Sequence, residues 1–149
     1  MKEIKHWAAV IVMAIAMAGA WASAPAVAGE ITVYKSPWCG CCSSWADHMR
    51  ANGHSVTTKE VEDLDAIKRM AGVPEPLQSC HTAVVDGYVI EGHVPAEDVA
   101  RLLSERPDAK GLSVPGMPMG SPGMEGGTPE RYDVMLFGAD GSAEVYARH

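Results

Sequence analysis

Three of the four residues 39–42 are cysteines, and this cluster constrains the fold and chemistry of the chain more than any other feature. They lie in the segment PWCGCC at residues 37–42, between a predicted strand and a predicted helix. A helix N-terminus offers free backbone N–H groups and a partial positive charge, and both stabilise a thiolate over a thiol. Because disulfide exchange and metal binding both use thiolates, the segment predicts a redox site or a metal site.

The N-terminus is typical of an export signal. Lys2 and Lys5 give a positive start, an apolar run covers residues 7–22, and Ala26-Val27-Ala28 is a small-residue cleavage pattern. We predict a signal peptide over 1–28, and a single mature domain over 29–149 that resides in the periplasm without a membrane anchor. An uncleaved anchor is the alternative, but about 16 apolar residues are short for a membrane span.

The charge of the mature chain narrows the class of partner. Without the predicted signal the chain keeps 10 basic and 18 acidic residues, a net charge of −8 with neutral histidines. Binding to phosphate backbones needs a basic face. The sequence therefore argues against nucleic acid as a partner.

Hydrophobic periodicity predicts an α/β domain with the element order β-α-β-α-β-β-α. The predicted strands are 30–35, 55–61, 82–85 and 88–91, and the predicted helices are 39–51, 63–71 and 95–104. Residues 111–127 are rich in glycine, proline and methionine, which argues against a regular element there. We expect this long loop to be ordered over the domain surface, because an extra C-terminal β-hairpin follows it within 131–148.

The motif W-C-x-x-C at the start of a helix resembles the thioredoxin superfamily, and the resemblance covers residues 31–104. It implies a thioredoxin-like sandwich. Two positions depart from the redox pattern: His81 stands where the superfamily has a cis-proline, and Cys41 lies inside the motif, where redox enzymes carry proline, histidine or tyrosine.

Helix geometry distinguishes between the kinds of metal site. Cys39 and Cys42 share one helix face, whereas Cys41 points about 100° away from Cys42. One tetrahedral ion does not easily collect both neighbours, while thiolates that bridge several soft monovalent ions, with Cys80 added, would use all four. Cysteine favours Cu(I), and several Cu(I) ions would bring four thiolates close to neutrality.

Histidine and methionine provide further candidate ligands. His81 and His93 lie near the predicted site, where imidazole would suit both Cu(I) and Cu(II). Met117 and Met119 could capture Cu(I) through their thioethers. The alternatives are hydrogen-bonded structural histidines and methionines that fill surface gaps.

Two tryptophans flank the cysteine motif. We expect Trp38 and Trp45 to pack around the motif and to restrict access of water. A direct chemical role is not expected for either.

Four longer motifs resemble the CopG-type copper-resistance proteins of the bacterial envelope: YKSPWCGCC, VPEPLQSCHTA, IEGHVPAEDV and GLSVPGMPMGSPGME. The resemblance covers almost all of the mature chain. It implies a thioredoxin-like domain with a cysteine-bridged, multinuclear copper centre and a role in copper redox handling. The implied ligands are Cys39, Cys41, Cys42 and Cys80.

Three functions follow from these observations. The first is a periplasmic copper-binding protein for copper resistance that interconverts Cu(I) and Cu(II), a possible copper oxidoreductase, with copper exporters, chaperones or oxidases as partners. The second is a thiol–disulfide oxidoreductase that attacks with Cys39 and resolves with Cys42. The third is a passive copper store or carrier. Structural disulfides are the remaining alternative for four cysteines in an oxidising compartment.

Overall fold

A computed structural model describes residues 29–149, which form seven strands and three α-helices. The strands are β1 (Ile31–Lys35), β2 (Val56–Glu60), β3 (Thr82–Val85), β4 (Tyr88–Glu91), β5 (Gly111–Ser113), β6 (Asp133–Phe137) and β7 (Ala143–Arg148). The helices are α1 (Gly40–Ala51), α2 (Leu64–Ala71) and α3 (Ala96–Glu105), with a 3₁₀ turn at Glu75–Leu77. One mixed sheet contains all seven strands in the order β2-β1-β3-β4-β5-β6-β7.

The predicted α/β class and the element order up to α3 are confirmed. Each helix begins one residue later than predicted, because the predicted first residue is the N-cap. The sulfur of Cys39 accepts a hydrogen bond from the backbone N–H of Cys42 at 3.3 Å, and the Asp63 carboxylate accepts one from Ala66 at 2.9 Å. Pro95 occupies the same position before α3. The closer likeness to thioredoxin stays a prediction.

The expectation that residues 111–127 hold no regular element is wrong at their start. Gly111–Ser113 forms β5, which pairs parallel with β4 and antiparallel with β6. A Cβ on Gly111 would overlap the backbone of Val89, so glycine permits this close pairing. Leu112 is fully buried beside it. The short strand thereby attaches the predicted C-terminal hairpin, β6 and β7, to the sheet.

Apolar side chains pack on both faces of the sheet. Along β4, Tyr88 and Ile90 belong to one cluster and Val89 to another, because successive residues of a strand point to opposite faces. The first cluster is the larger and includes residues of α1 and α3. Trp45 of α1 is fully buried in it, and its indole N–H donates to the Val94 carbonyl at 2.8 Å. This core fixes α1, which carries Cys41 and Cys42 and has Cys39 as its N-cap.

Within residues 29–149, no helix combines the length and the apolar character needed to cross a membrane. The predicted signal peptide, residues 1–28, lies outside the described residues. The division into a signal and one mature domain stays a prediction.

Candidate metal centre

The structure brings all four cysteines together. Cys39, Cys41 and Cys42 lie at the start of α1, and Cys80 lies immediately before His81 and β3. The four sulfur atoms all lie within 4.8 Å of one another. Cys80 Sγ is 3.5 Å from Cys42 Sγ and 4.0 Å from Cys41 Sγ. It therefore lies close to both of the side chains that diverge on the helix.

Two of these cysteines form a disulfide. Cys39 and Cys42 are joined, with their Cα atoms 5.4 Å apart. Cys41 and Cys80 have free thiols within the described part of the chain. Cys41 Sγ lies 3.4 Å from Cys39 Sγ, so each free thiol contacts one half of the disulfide. The pair that is oxidised here is the pair that sequence reasoning selected for disulfide exchange.

The environment of the Cys80 thiol disfavours its ionisation. Burial, followed by the neighbouring Cys41, raises the pKa of the Cys80 thiol to about 12. A coordinated cation has the opposite effect, since a thiol that binds a metal is deprotonated outright. The cluster is thus a set of sulfur donors whose ionisation a bound cation would favour.

His93 faces Cys80 with a ring nitrogen that can accept a proton or bind a metal. Its Nδ1 lies 2.7 Å from the Pro122 carbonyl, which can only accept, so Nδ1 carries the hydrogen. In the neutral ring Nε2 then carries the free lone pair, and this nitrogen lies 2.8 Å from Cys80 Sγ. Burial lowers the pKa of His93, partly offset by the hydrogen bond to Pro122. The carbonyl therefore fixes the tautomer that presents a donor to the cluster.

His81 is fully buried beside the same thiol. Its Nδ1 lies 3.5 Å from Cys80 Sγ, and its ring packs on Trp45 with the ring centroids 4.5 Å apart. Among residues 29–149, no hydrogen-bond partner reaches its buried Nε2. Burial, and then the neighbouring His93, lower the pKa of His81 well below the usual histidine value. Cys80, His81 and His93 form a second set of ligand atoms within 4.8 Å of one another.

The long loop between β5 and β6 passes over the site and supplies the carbonyl of Pro122. Gly123, the next residue, has a φ of +87°, and a Cβ built on it would lie 2.6 Å from the Cys41 carbonyl oxygen and 2.9 Å from the Trp45 backbone nitrogen. Only glycine fits this approach without displacement. The predicted ordering of the loop over the domain surface is confirmed at this point.

The two methionines proposed as ligands lie on the outer part of this loop. Met117 and Met119 are 51% and 38% exposed. The sulfur of Met119 lies beside Gly127. Thioether capture of Cu(I) by these residues stays a prediction.

The structure separates the two tryptophans that flank the motif. Trp45 is fully buried and packs against His81, as expected. The expectation for Trp38 is wrong, because its side chain is 91% exposed. Trp38 lies in the turn before the N-cap Cys39, where its backbone N–H donates to Ser36 Oγ and its ring points away from the core.

A buried ionic network behind Cys80 was not predicted from the sequence. Lys68 Nζ lies 2.5 Å from Glu91 Oε1, and Glu91 also accepts hydrogen bonds from Thr82 Oγ1 and the backbone N–H of Ser79. Burial raises the pKa of Glu91, while Lys68 acts in the opposite direction. The one sequence signal is that Glu91 ends the otherwise apolar strand β4. Because Ser79 immediately precedes Cys80, the network fixes the backbone that presents this thiol.

The fold and this cluster define an α/β domain with a cysteine- and histidine-rich candidate metal site. Two solved structures are similar to it, both described as copper resistance protein CopG, in form 1 and form 2. Each is 46% identical with a TM-score of 0.77; form 1 covers 82% of this chain and 98% of its own, and form 2 covers 81% and 98%. Residues 77–124 match a family described as a protein of unknown function, DUF411. No curated protein matches the chain.

The chain therefore belongs to the CopG family of copper resistance proteins.

Proposed function

We propose that this protein is a periplasmic copper-binding protein of copper resistance, in which Cys39, Cys41, Cys42 and Cys80 hold a cluster of several Cu(I) ions. One observation carries the proposal: two separate elements place four sulfur atoms within 4.8 Å of one another. Thiolates are preferred ligands of Cu(I), as they are of zinc and iron–sulfur clusters. The names of the two similar structures agree with this metal.

The arrangement of the thiols supports several ions rather than one. Cys80 lies between Cys41 and Cys42, at 4.0 Å and 3.5 Å, so its thiolate could bridge ions held by either neighbour. Bridging also balances charge, because each Cu(I) cancels one thiolate in a pocket where Cys42 is fully buried.

The two histidines adapt the site to both oxidation states of copper. Nε2 of His93 faces Cys80, and imidazole binds Cu(I) and Cu(II). His81 is fully buried and adds a second ring nitrogen, Nδ1, 3.5 Å from the same thiol. We propose that these groups let the centre interconvert Cu(I) and Cu(II), while exporters, chaperones or oxidases exchange the metal with it. Met117 and Met119 would capture incoming Cu(I) at the surface.

Anaerobic titration of the reduced mature protein with Cu(I), read by metal analysis after desalting, tests the cluster. We expect at least about two tightly bound Cu(I) per chain, because four thiolates can share bridged ions. Cys80→Ser should lower that number, since it removes the bridging sulfur. His54→Asn, which changes a histidine of the segment before β2, is the matched control and should bind as the wild type does. A single bound ion, or an unaffected Cys80→Ser variant, would contradict the proposal.

A second candidate function rests on the Cys39–Cys42 disulfide. A disulfide at a helix N-terminus is also the resting state of a thiol–disulfide oxidoreductase. Turnover of a dithiol-coupled disulfide-reduction assay without copper would support it. Absence of turnover under conditions where the same sample binds Cu(I) would favour the copper function.

A further inference from the structure

The four cysteines fall into two pairs with different chemistry. Cys39 and Cys42 are joined as a disulfide, whereas Cys41 and Cys80 are free thiols 4.0 Å apart. All four sulfurs remain within one cluster in this state. A pair that can close without dispersing the cluster is placed to exchange electrons with whatever the other ligands bind.

Closing the disulfide leaves a usable set of ligands. Cys41 and Cys80 keep their sulfur donors, and His93 Nε2 stays 2.8 Å from Cys80 Sγ. The hydrogen bond from His93 Nδ1 to the Pro122 carbonyl fixes that ring independently of the disulfide. Two sulfurs and an imidazole suit Cu(I), so the site can retain copper after two of its thiolates are oxidised.

We infer that Cys39 and Cys42 are a two-electron couple that reduces copper within the site, an inference that rests on the proposed copper function. In this step two Cu(II) ions and the two thiolates give two Cu(I) ions and one disulfide. One S–S bond forms, each sulfur gives up one electron, and each copper gains one. Where the pair starts as thiols, two protons pass to solvent. Cys41, Cys80 and His93 hold the Cu(I) that is formed.

The unequal exposure of Cys39 and Cys42 suits a disulfide that an external dithiol reduces again. Cys42 is fully buried, while Cys39 is partly exposed next to the solvent-exposed Trp38. A dithiol reductant would therefore attack Cys39 Sγ, and the electron pair of the broken S–S bond would pass to Cys42. A second thiol of the reductant then attacks its own mixed disulfide and releases Cys39, which leaves the protein reduced and the reductant oxidised.

The test is an anaerobic reaction of the fully reduced mature protein with two equivalents of Cu(II) sulfate. Cu(I) is measured with a colorimetric Cu(I) chelator after denaturation in acid, and the remaining thiols are alkylated and mapped by mass spectrometry. We expect about two Cu(I) formed and two thiols lost per chain, because the couple transfers two electrons. Cys39 and Cys42 should be found linked, with Cys41 and Cys80 alkylated. A different linked pair, or Cu(I) formed without thiol loss, would overturn the inference.

Two matched double variants each keep two cysteines. Cys39→Ser/Cys42→Ser should reduce Cu(II) at least about tenfold more slowly than the wild type, because it lacks the couple. Cys41→Ser/Cys80→Ser should still form the Cys39–Cys42 disulfide, but its Cu(I) should be lost on desalting. Equal rates in the two variants would contradict the assignment. Far-UV circular dichroism checks folding, and the mapping of the wild-type protein decides the question if either variant is unfolded.

The redox couple and the proposed copper-binding function can be rejected independently of each other. Cu(I) supplied directly to reduced protein tests binding alone. Retained Cu(I) binding together with no disulfide formation from Cu(II) would reject only the couple, whereas loss of Cu(I) binding would reject the copper function itself.

Discussion

Lys68 Nζ and Glu91 Oε1 form a fully enclosed ion pair 2.5 Å apart, directly behind the backbone that presents Cys80. The pair connects α2 to β4, and the free oxygen positions of Glu91 are satisfied by Thr82 and Ser79. The buried lysine neutralises the carboxylate that holds Ser79, the residue before Cys80.

Lys68→Met should destabilise the protein strongly, because it leaves the Glu91 carboxylate buried without a counter-charge. We expect the free energy of unfolding to fall by about 3–5 kcal/mol, measured by urea denaturation of the reduced protein. Arg148→Met is the control, since the Arg148–Asp133 pair is exposed and should contribute less than about 1 kcal/mol. Similar losses in the two variants would show that the buried pair has no special role.

Gly123→Ala should displace the loop from the site, because a Cβ there would meet the Cys41 carbonyl and the Trp45 nitrogen. Overpacking of this kind costs about 1–3 kcal/mol, added to the cost of a positive φ. Gly53→Ala is a matched control: Gly53 has the same φ of +87°, and nothing lies within 4 Å of its built Cβ. Urea denaturation of both variants isolates the packing cost, and equal losses would mean that the loop does not press on the site.

The two tryptophans should differ sharply in their contribution to stability. Trp45→Ala removes a fully buried ring and should cost about 3–5 kcal/mol. Trp38→Ala removes a ring that is 91% exposed, so its effect should stay within about 0.5 kcal/mol. The midpoint of thermal unfolding gives the comparison, and a large loss on Trp38→Ala would place that ring in contact with the core.

Stability should decline in mild acid, in part through His54. Burial, and then the charge of His48, lower the pKa of His54, so the unfolded chain binds the proton more tightly than the folded chain does. By linkage this contribution is complete above the ordinary histidine pKa of about 6.5 and is lost as the pH falls below it. His54→Asn should therefore lose less stability than the wild type between about pH 7.5 and pH 5. An identical pH dependence of the two urea midpoints would contradict this.

The sequence was sufficient for the parts of the structure that local pattern determines. Alternating apolar residues predicted the first four strands, and N-cap residues set the helix starts within one position. The cysteine spacing, together with the resemblance to thioredoxin and CopG proteins, predicted that Cys80 would meet the helix cysteines. Each of these inferences used short-range spacing or a motif of several residues.

Other features depend on contacts between distant segments and had no local signal. β5 exists because Gly111 can approach the backbone of Val89, which its glycine- and proline-rich surroundings do not indicate. The sequence does not indicate the pairing of Lys68 with Glu91. Lys68 resembles an ordinary surface lysine of a helix, and Glu91 resembles a polar residue at the end of a strand. The prediction that Trp38 packs around the motif is wrong. A large aromatic residue beside a motif is usually packed, whereas here the turn directs the Trp38 ring into solvent.

The loop above the site begins and ends in strands that pair with each other, β5 and β6. Residues 125–131 of this loop are exposed, and nothing lies within 4 Å of a Cβ built on Gly126. Lengthening such a loop costs little conformational entropy, since each doubling adds only about 0.6 kcal/mol. A fluorophore or short peptide inserted after Gly126 would project into solvent while Pro122 and Gly123 kept their contacts. The natural architecture thus offers an attachment point for a reporter three residues after Gly123, which lies against the Cys41 backbone.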